Sequence, residues 1–186
     1  MMNVKSPQEL LKFMDSINYG FTDEDNNNYT DEAFEKNVFT KWKLSSPERL
    51  LKVKYGHCFD QVELEREWFI KHQYRIRTYY IMFLLPYENP FSTHTFLVYE
   101  GNKKYYLFEH SDYYNRGIHE YNSLDELLDN EIKHHINTNL KDNKMTEEEI
   151  NSLVIYEYTK PEYNIDMLTF INNILDNGTK IRLENN

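Results

Sequence analysis

Over residues 75–85 the chain reads RIRTYYIMFLL, an apolar, β-branched and aromatic run that alternates at its start, and this pattern predicts a strand ended by Pro86. Residues 95–99 and 104–109 read as two further strands flanking Glu100-Gly101-Asn102-Lys103, a hairpin signal. Upstream, Phe59, Val62, Leu64 and Phe69 recur mainly at threes and fours, the spacing of one helix face, so a helix is predicted to begin at or near Cys58 with Gly56 as a flexible turn before it. Two earlier segments open with serine, proline and an acid nearby, Ser6-Pro7-Gln8-Glu9 and Ser46-Pro47-Glu48. Serine caps orphan amides and proline loses nothing at the first helical position, which predicts short helices over 7–16 and 47–54. Beyond the hairpin the pattern gives a helix over 123–133 behind Asn122 or Ser123, and a short one opened by a Thr146–Glu149 capping box. A strand over 154–158 follows, then a last helix from Asn164 or Asp166 through Leu175 ended by Gly178, and an edge strand in KIRLE. Helices, a strand-rich centre and more helices argue for α+β rather than alternating α/β.

Composition narrows this picture. A chain of 186 residues accommodates one ordinary domain with one core, expected to span 1–186. Its single cysteine excludes an internal disulfide and leaves the sulfur available for chemistry. The start, MMNVKSPQELLKFM, lacks the apolar run of a signal peptide, and no segment approaches the roughly 20 apolar residues of a membrane span, so a cytoplasmic protein without membrane contact is expected. A net charge of −10 disfavours phosphate backbones, which excludes nucleic acid as an expected partner. The five glycines are too scattered to build a phosphate-cradling loop. Tyrosine and phenylalanine fit a core and its edges, and a carbohydrate-binding platform is the lesser alternative.

Two metal readings fail on spacing. Asp23, Asp25, Asn27, Tyr29 and Asp31 fall on alternate places of a calcium loop, but its sixth place needs glycine and holds Asn28, while its twelfth needs glutamate and holds Phe34. The stretch 22–32 is better read as a solvated acidic loop. His57, His94, His110, His119, His134 and His135 make no H-E-x-x-H, and adjacent helical side chains diverge by about 100°, so the pair His134-His135 reads as a solvent-facing helical surface.

A third constellation survives. With Gly101 and Asn102 at the centre of a type II′ turn, or with a four-residue loop closing at 99 and 104, facing residue numbers sum to 203 and His94 stands opposite Glu109. Opposed residues share a face with Cβ atoms about 4.5–5.5 Å apart, so a carboxylate would orient the imidazole and stabilise its charged form. Cys58 stands at a helix start, where partial positive charge favours the reactive thiolate. The bland readings are a buried cysteine packed as a small hydrophobe and a histidine–glutamate surface pair.

SSPERLLKVKYGHCFDQVEL and STHTFLVYEGNKKYYLFEHS together resemble the transglutaminase-like superfamily, the branch of papain-like folds whose catalytic order is cysteine, histidine, acid. The likeness covers about residues 40–112 and rests on a proline-led helix before Gly-x-Cys-x-Asp and on a spacing of 15 between His94 and Glu109. It implies a catalytic-cysteine helix packed on an antiparallel sheet, with Cys58 as nucleophile, His94 as general base and then acid, and Glu109 as the orienting group. Glutamate replaces the family's commoner aspartate, which leaves Asp112 as a substitute third member. The Cys58 amide is a natural oxyanion donor, and Trp42 is a second candidate through its indole N–H. The implied function is thiol-dependent hydrolysis or acyl transfer on peptide or side-chain amides, with a protein or peptide substrate and neither cofactor nor metal. The alternatives are an inactive peptide-binding module of the same fold and a small-molecule acyltransferase such as the arylamine N-acetyltransferases, which share the order.

Overall fold

A computed structural model describes residues 4–85, 93–142 and 145–181. The first helix, α1 (Pro7–Met14), starts where Ser6 Oγ accepts the Glu9 amide at 3.2 Å. A small hairpin, β1 (Phe21–Thr22) and β2 (Asn28–Tyr29), leads into α2 (Asp31–Lys41). The chain continues with α3 (Pro47–Val53), capped by Ser46 and stopped by left-handed Lys54, and α4 (Cys58–Lys71). Strands β3 (Arg75–Phe83), β4 (Thr93–Gly101), β5 (Lys104–Glu109) and β6 (Gly117–Tyr121) precede α5 (Leu124–Asp142). The Thr146 capping box then opens α6 (Glu147–Asn151), followed by β7 (Leu153–Glu157), α7 (Met167–Asn177) capped by Asp166, and β8 (Thr179–Ile181). The class is α+β. Pro86 and residues 182–184 of the KIRLE segment lie outside the described residues.

Among the described residues the main sheet has six strands in the order β6-β5-β4-β3-β7-β8, every pair antiparallel. The hairpin register differs from the expected one by two. Asn102 and Lys103, at φ 50° and 60°, form the turn, while Gly101 pairs with Lys104, so facing numbers sum to 205 as in Leu97 with Phe108. A two-residue turn with both central residues left-handed is type I′, which matches the twist of the strands and suits asparagine. A shift of two keeps every side chain on its original face, since alternation has period two.

Several elements were not visible as patterns. Helix α2 buries only Val38, so it carries no periodic apolar stripe. Stretch 22–32 is solvated over 24–28 as expected, but its turn is ordered by the Asp23 carboxylate, which accepts from the Asn27 amide and the Tyr29 hydroxyl at 2.8 Å each, and its end belongs to α2. Helix α5 continues to Asp142, well beyond the predicted 133.

Helix α4 organises the core. Phe59, Val62, Leu64 and Phe69 are buried as expected, but so are Asp60, Gln61, Glu63, Glu65 and Arg66. Its N-terminal end packs in a cluster with Trp42, Tyr80, Tyr158 and Phe170. Its later turns meet α1, Leu97, Tyr99 and Phe108, and the other sheet face packs on α5 through Leu127 and Leu128. The buried cation on α4 is matched: Arg66 donates to Glu63 at 2.9 and 3.1 Å and to Thr78 Oγ1 at 2.6 Å. No described helix is long and apolar enough to cross a membrane.

Lysine in the left-handed region costs more than glycine there. Lys103→Gly is therefore expected to stabilise the fold by about 0.5–1 kcal/mol, read as a higher urea midpoint at unchanged slope.

Candidate active site

The turn before α4 has no room for a side chain at residue 56. A Cβ on Gly56 would lie 2.6 Å from Leu50 Cδ1 and 3.0 Å from Asp60 Cβ. His57 then caps the helix, its Nδ1 accepting the Phe59 amide at 3.4 Å, while Asp60 Oδ2 accepts the His57 amide at 3.2 Å. The same carboxylate accepts the Trp42 indole N–H at 2.9 Å and, through Oδ1, the Ser45 amide at 2.8 Å. The Trp42 donor is thus committed to Asp60, which removes it as an oxyanion donor. Gln61 donates to Gly56 O at 2.8 Å and accepts from His110 Nδ1 at 2.7 Å, joining the turn to the end of β5.

These contacts set Cys58 as the first residue of α4, with 5% of its surface exposed. Its amide stands before the helix ladder begins, where N–H groups lack intrahelical acceptors. Two imidazoles act on its sulfur. His57 Nδ1 lies 3.7 Å from Sγ, and His94, at the start of β4, is near enough to bring the thiol's ionisation to lower pH. His94 Nε2 donates to Glu109 Oε2 at 2.7 Å, which leaves Nδ1 as the ring nitrogen for the thiol. Continuing the observed register would place Phe96 opposite Glu109, so His94 reaches the carboxylate along the diagonal, which long side chains can span.

Glu109 is itself fixed. Its Oε1 accepts Ser111 Oγ at 3.0 Å and the Asp112 amide at 2.8 Å. Asp112 has its carboxylate elsewhere, on His134 Nε2 at 2.6 Å and on the Tyr114 amide at 2.9 Å. The acid in contact with His94 is therefore Glu109. The pair His134-His135 is not a free surface: His134 pairs with Asp112, and the His135 ring stacks on Phe83 with centroids 5.4 Å apart.

The electrostatics follow from burial and these contacts. Burial pushes the Cys58 thiol up, but the neighbouring His57 and His94 imidazoles outweigh it and bring it down to about 6. Burial opposes charge on His94, yet Glu109 and the thiol raise it well above the usual imidazole range. Burial likewise works against Glu109 ionising, and His94 overcomes this to hold it low. Asp112, despite burial, is drawn to about 2 chiefly by His134. Glu65 and Glu131 go the other way, with burial raising Glu65 strongly and Glu131 to about 7, each also repelled by Glu109.

His57 was missed as a site residue because a histidine beside a cysteine has no distinctive spacing; its role as helix cap appears only in the folded turn. The described residues contain no group of three or more histidine, cysteine, aspartate or glutamate side chains arranged to hold a metal ion. A scan against protein-family models finds no match for the chain, and neither does a search of curated proteins.

Replacing Asp60 by alanine orphans three donors, on Trp42, Ser45 and His57. Asp60→Ala is expected to cost about 3 kcal/mol in urea denaturation, and Asp60→Asn less, since the amide oxygen keeps one acceptor.

Proposed function

We propose that the protein is a thiol-dependent hydrolase or acyltransferase of transglutaminase-like, papain-like architecture, acting on peptide or side-chain amides. The observation that carries this reading is His94 Nε2 standing 2.7 Å from Glu109 Oε2 while the same imidazole helps to lower the Cys58 thiol. Cys58 is the nucleophile, His94 the base and acid, and Glu109 the group that orients and stabilises the imidazolium.

His94 suits the base better than His57 does. An imidazolium presents two N–H donors, and each needs an acceptor when buried. His94 has the Glu109 carboxylate for one of them. The Nε2 of His57 is buried with no hydrogen-bond partner among the described residues, and Asp60 Oδ2, 4.0 Å away, already serves Trp42 and the His57 amide.

In the proposed reaction the thiolate attacks the amide carbon and the carbonyl electrons move onto oxygen, which the Cys58 amide can meet as a donor. Collapse breaks the C–N bond, and His94 gives its proton to the departing amine, leaving a thioester. Water or an amine then attacks the thioester while His94 takes its proton, and the thiolate leaves. The burial of Cys58 favours one other reading, a peptide-binding module in which the thiol never reacts.

The rate of iodoacetamide alkylation against pH separates the two. Thiolate increases with pH, so the rate is expected to rise with a midpoint near 6 in the wild type, since the thiol is lowered to about that value. His94→Ala should move that midpoint up toward the free value of about 8.5. Turnover of an amide substrate needs thiolate and imidazolium together. It should follow a bell whose lower limb is the thiol and whose upper limb is the raised His94, and Glu109→Gln should reduce kcat by about 10³-fold or more. A wild-type thiol that titrates like a free cysteine would sink the enzyme reading and leave the binding module.

A further inference from the structure

Between β5 and β6 the chain turns through residues 110–116, and two groups at the start of this loop, Ser111 Oγ and the Asp112 amide, donate to Glu109 Oε1 at 3.0 and 2.8 Å. Donors on a loop fix an acid only if the loop itself is fixed. Part of that is local: the Tyr114 amide donates to Asp112 Oδ1 at 2.9 Å and the Asn115 amide to Asp112 O at 3.2 Å, closing a tight turn. Helix α5 supplies the rest. His134 Nε2 donates to Asp112 Oδ2 at 2.6 Å, and Glu131 Oε1 accepts the Asn115 side-chain amide at 3.0 Å. Residues 131 and 134 are three apart on α5, so both contacts leave one face of the helix.

The reaction as drawn gives this second histidine–acid pair no part. It is nevertheless more than a surface ion pair, since the contact is short and the His134 and Asp112 side chains keep only 27% and 19% of their exposure. It also ends where it matters. Hydrogen bonds run from His134 to the Asp112 carboxylate, from the Asp112 amide to Glu109, and from Glu109 to His94, at 2.6, 2.8 and 2.7 Å.

Resting on the reading of Glu109 as the acid behind His94, we propose that His134 is a positioning residue for the reaction: by holding the Asp112 carboxylate it keeps the Asp112 amide on Glu109 Oε1, and so keeps Glu109 Oε2 on His94. His134 acts through Glu109 and touches neither the thiol nor a substrate. Without its N–H, the Asp112 carboxylate loses its side-chain donor, and the tie of the loop to α5 at Asn115 and Glu131 lies three residues further on. Glu109 is then held less closely against His94.

Iodoacetamide alkylation of the full chain against pH reads this effect, because Glu109 raises His94 against burial, and the His57 and His94 imidazoles lower Cys58 against burial. Two variants separate the ring from its donor: His134→Phe keeps a ring and loses the N–H, while His134→Gln places an amide N–H where Nε2 stood. The alkylation midpoint should rise by about 0.5–1 pH unit in His134→Phe and stay within about 0.2 of the wild type in His134→Gln. In a Glu109→Gln background the increment from His134→Phe should vanish, since its route to the thiol is already cut. His134→Ala repeats the His134→Phe prediction should the larger ring disturb the fold, with thermal midpoints as the check. An unshifted midpoint in His134→Phe overturns the inference alone. So does a shift as large in His134→Gln, or an increment that persists without the Glu109 charge, since either would show the charge of His134 acting on the thiol directly. Failure of both donor-less variants to fold would assign His134 to stability and also overturn it. A wild-type thiol that titrates like a free cysteine overturns the functional reading and this inference with it.

Discussion

The carboxylate of Asp60 accepts three hydrogen bonds from three places: the indole of Trp42, the amide of Ser45 and the amide of His57. Burial pushes the Asp60 carboxyl up, and the neighbouring His57 and these donors offset part of that rise. The segment before α3 is thereby tied to the first turn of α4, and the position of residue 58 follows. Glycine at 56 lets Leu50 close over that turn, and Gln61 extends the tie to His110 just after β5. The nucleophile candidate and the strand end bearing its acid are held by one polar frame, set within the apolar packing of Trp42 and Leu50.

The site was more legible than the fold in detail, for a physical reason. Cys58 could be placed because helix starts have local chemistry, and the glycine before it and the helical spacing after it are both short-range signals. The His94–Glu109 contact was anticipated from a register wrong by two, and it survives because such a slip preserves the face and because glutamate is long enough to reach diagonally. A slip of one would have separated them. The choice of Glu109 over Asp112 lay beyond the sequence, since it depends on His134, 22 residues further on, taking Asp112 for itself. Helix α2 and strand β6 escaped because neither carries a strong apolar period: α2 buries one side chain, and β6 lies at the sheet edge with none fully buried.

Two histidines lower the Cys58 thiol, and what lies behind each distinguishes them. A base must hold the proton it takes, which in a buried site requires an acceptor for the far nitrogen. Glu109 provides this behind His94, and the loop through Ser111 and Asp112 in turn saturates Glu109. Behind His57 there are rings instead: Phe34, Trp42 and Phe59 contact it with centroids 5.5, 4.9 and 4.8 Å away. His57 is suited to shaping the helix start and steadying the sulfur, and His94 to moving a proton.

Charge around the thiol is rationed by burial in the same way. Glu109 and Asp112 each stay ionised because an imidazole faces them. Glu65, two turns along α4 from Cys58, and Glu131 on α5 lack such a partner, and both are pushed toward the neutral acid. Were all four ionised, their summed field would oppose a thiolate and favour a neutral thiol. With two of them inclined to keep their protons, the other two, Glu109 and Asp112, are balanced by His94 and His134. The proposed thiolate–imidazolium pair fits this arrangement, because Glu109 faces the imidazolium and the imidazolium in turn offsets the thiolate.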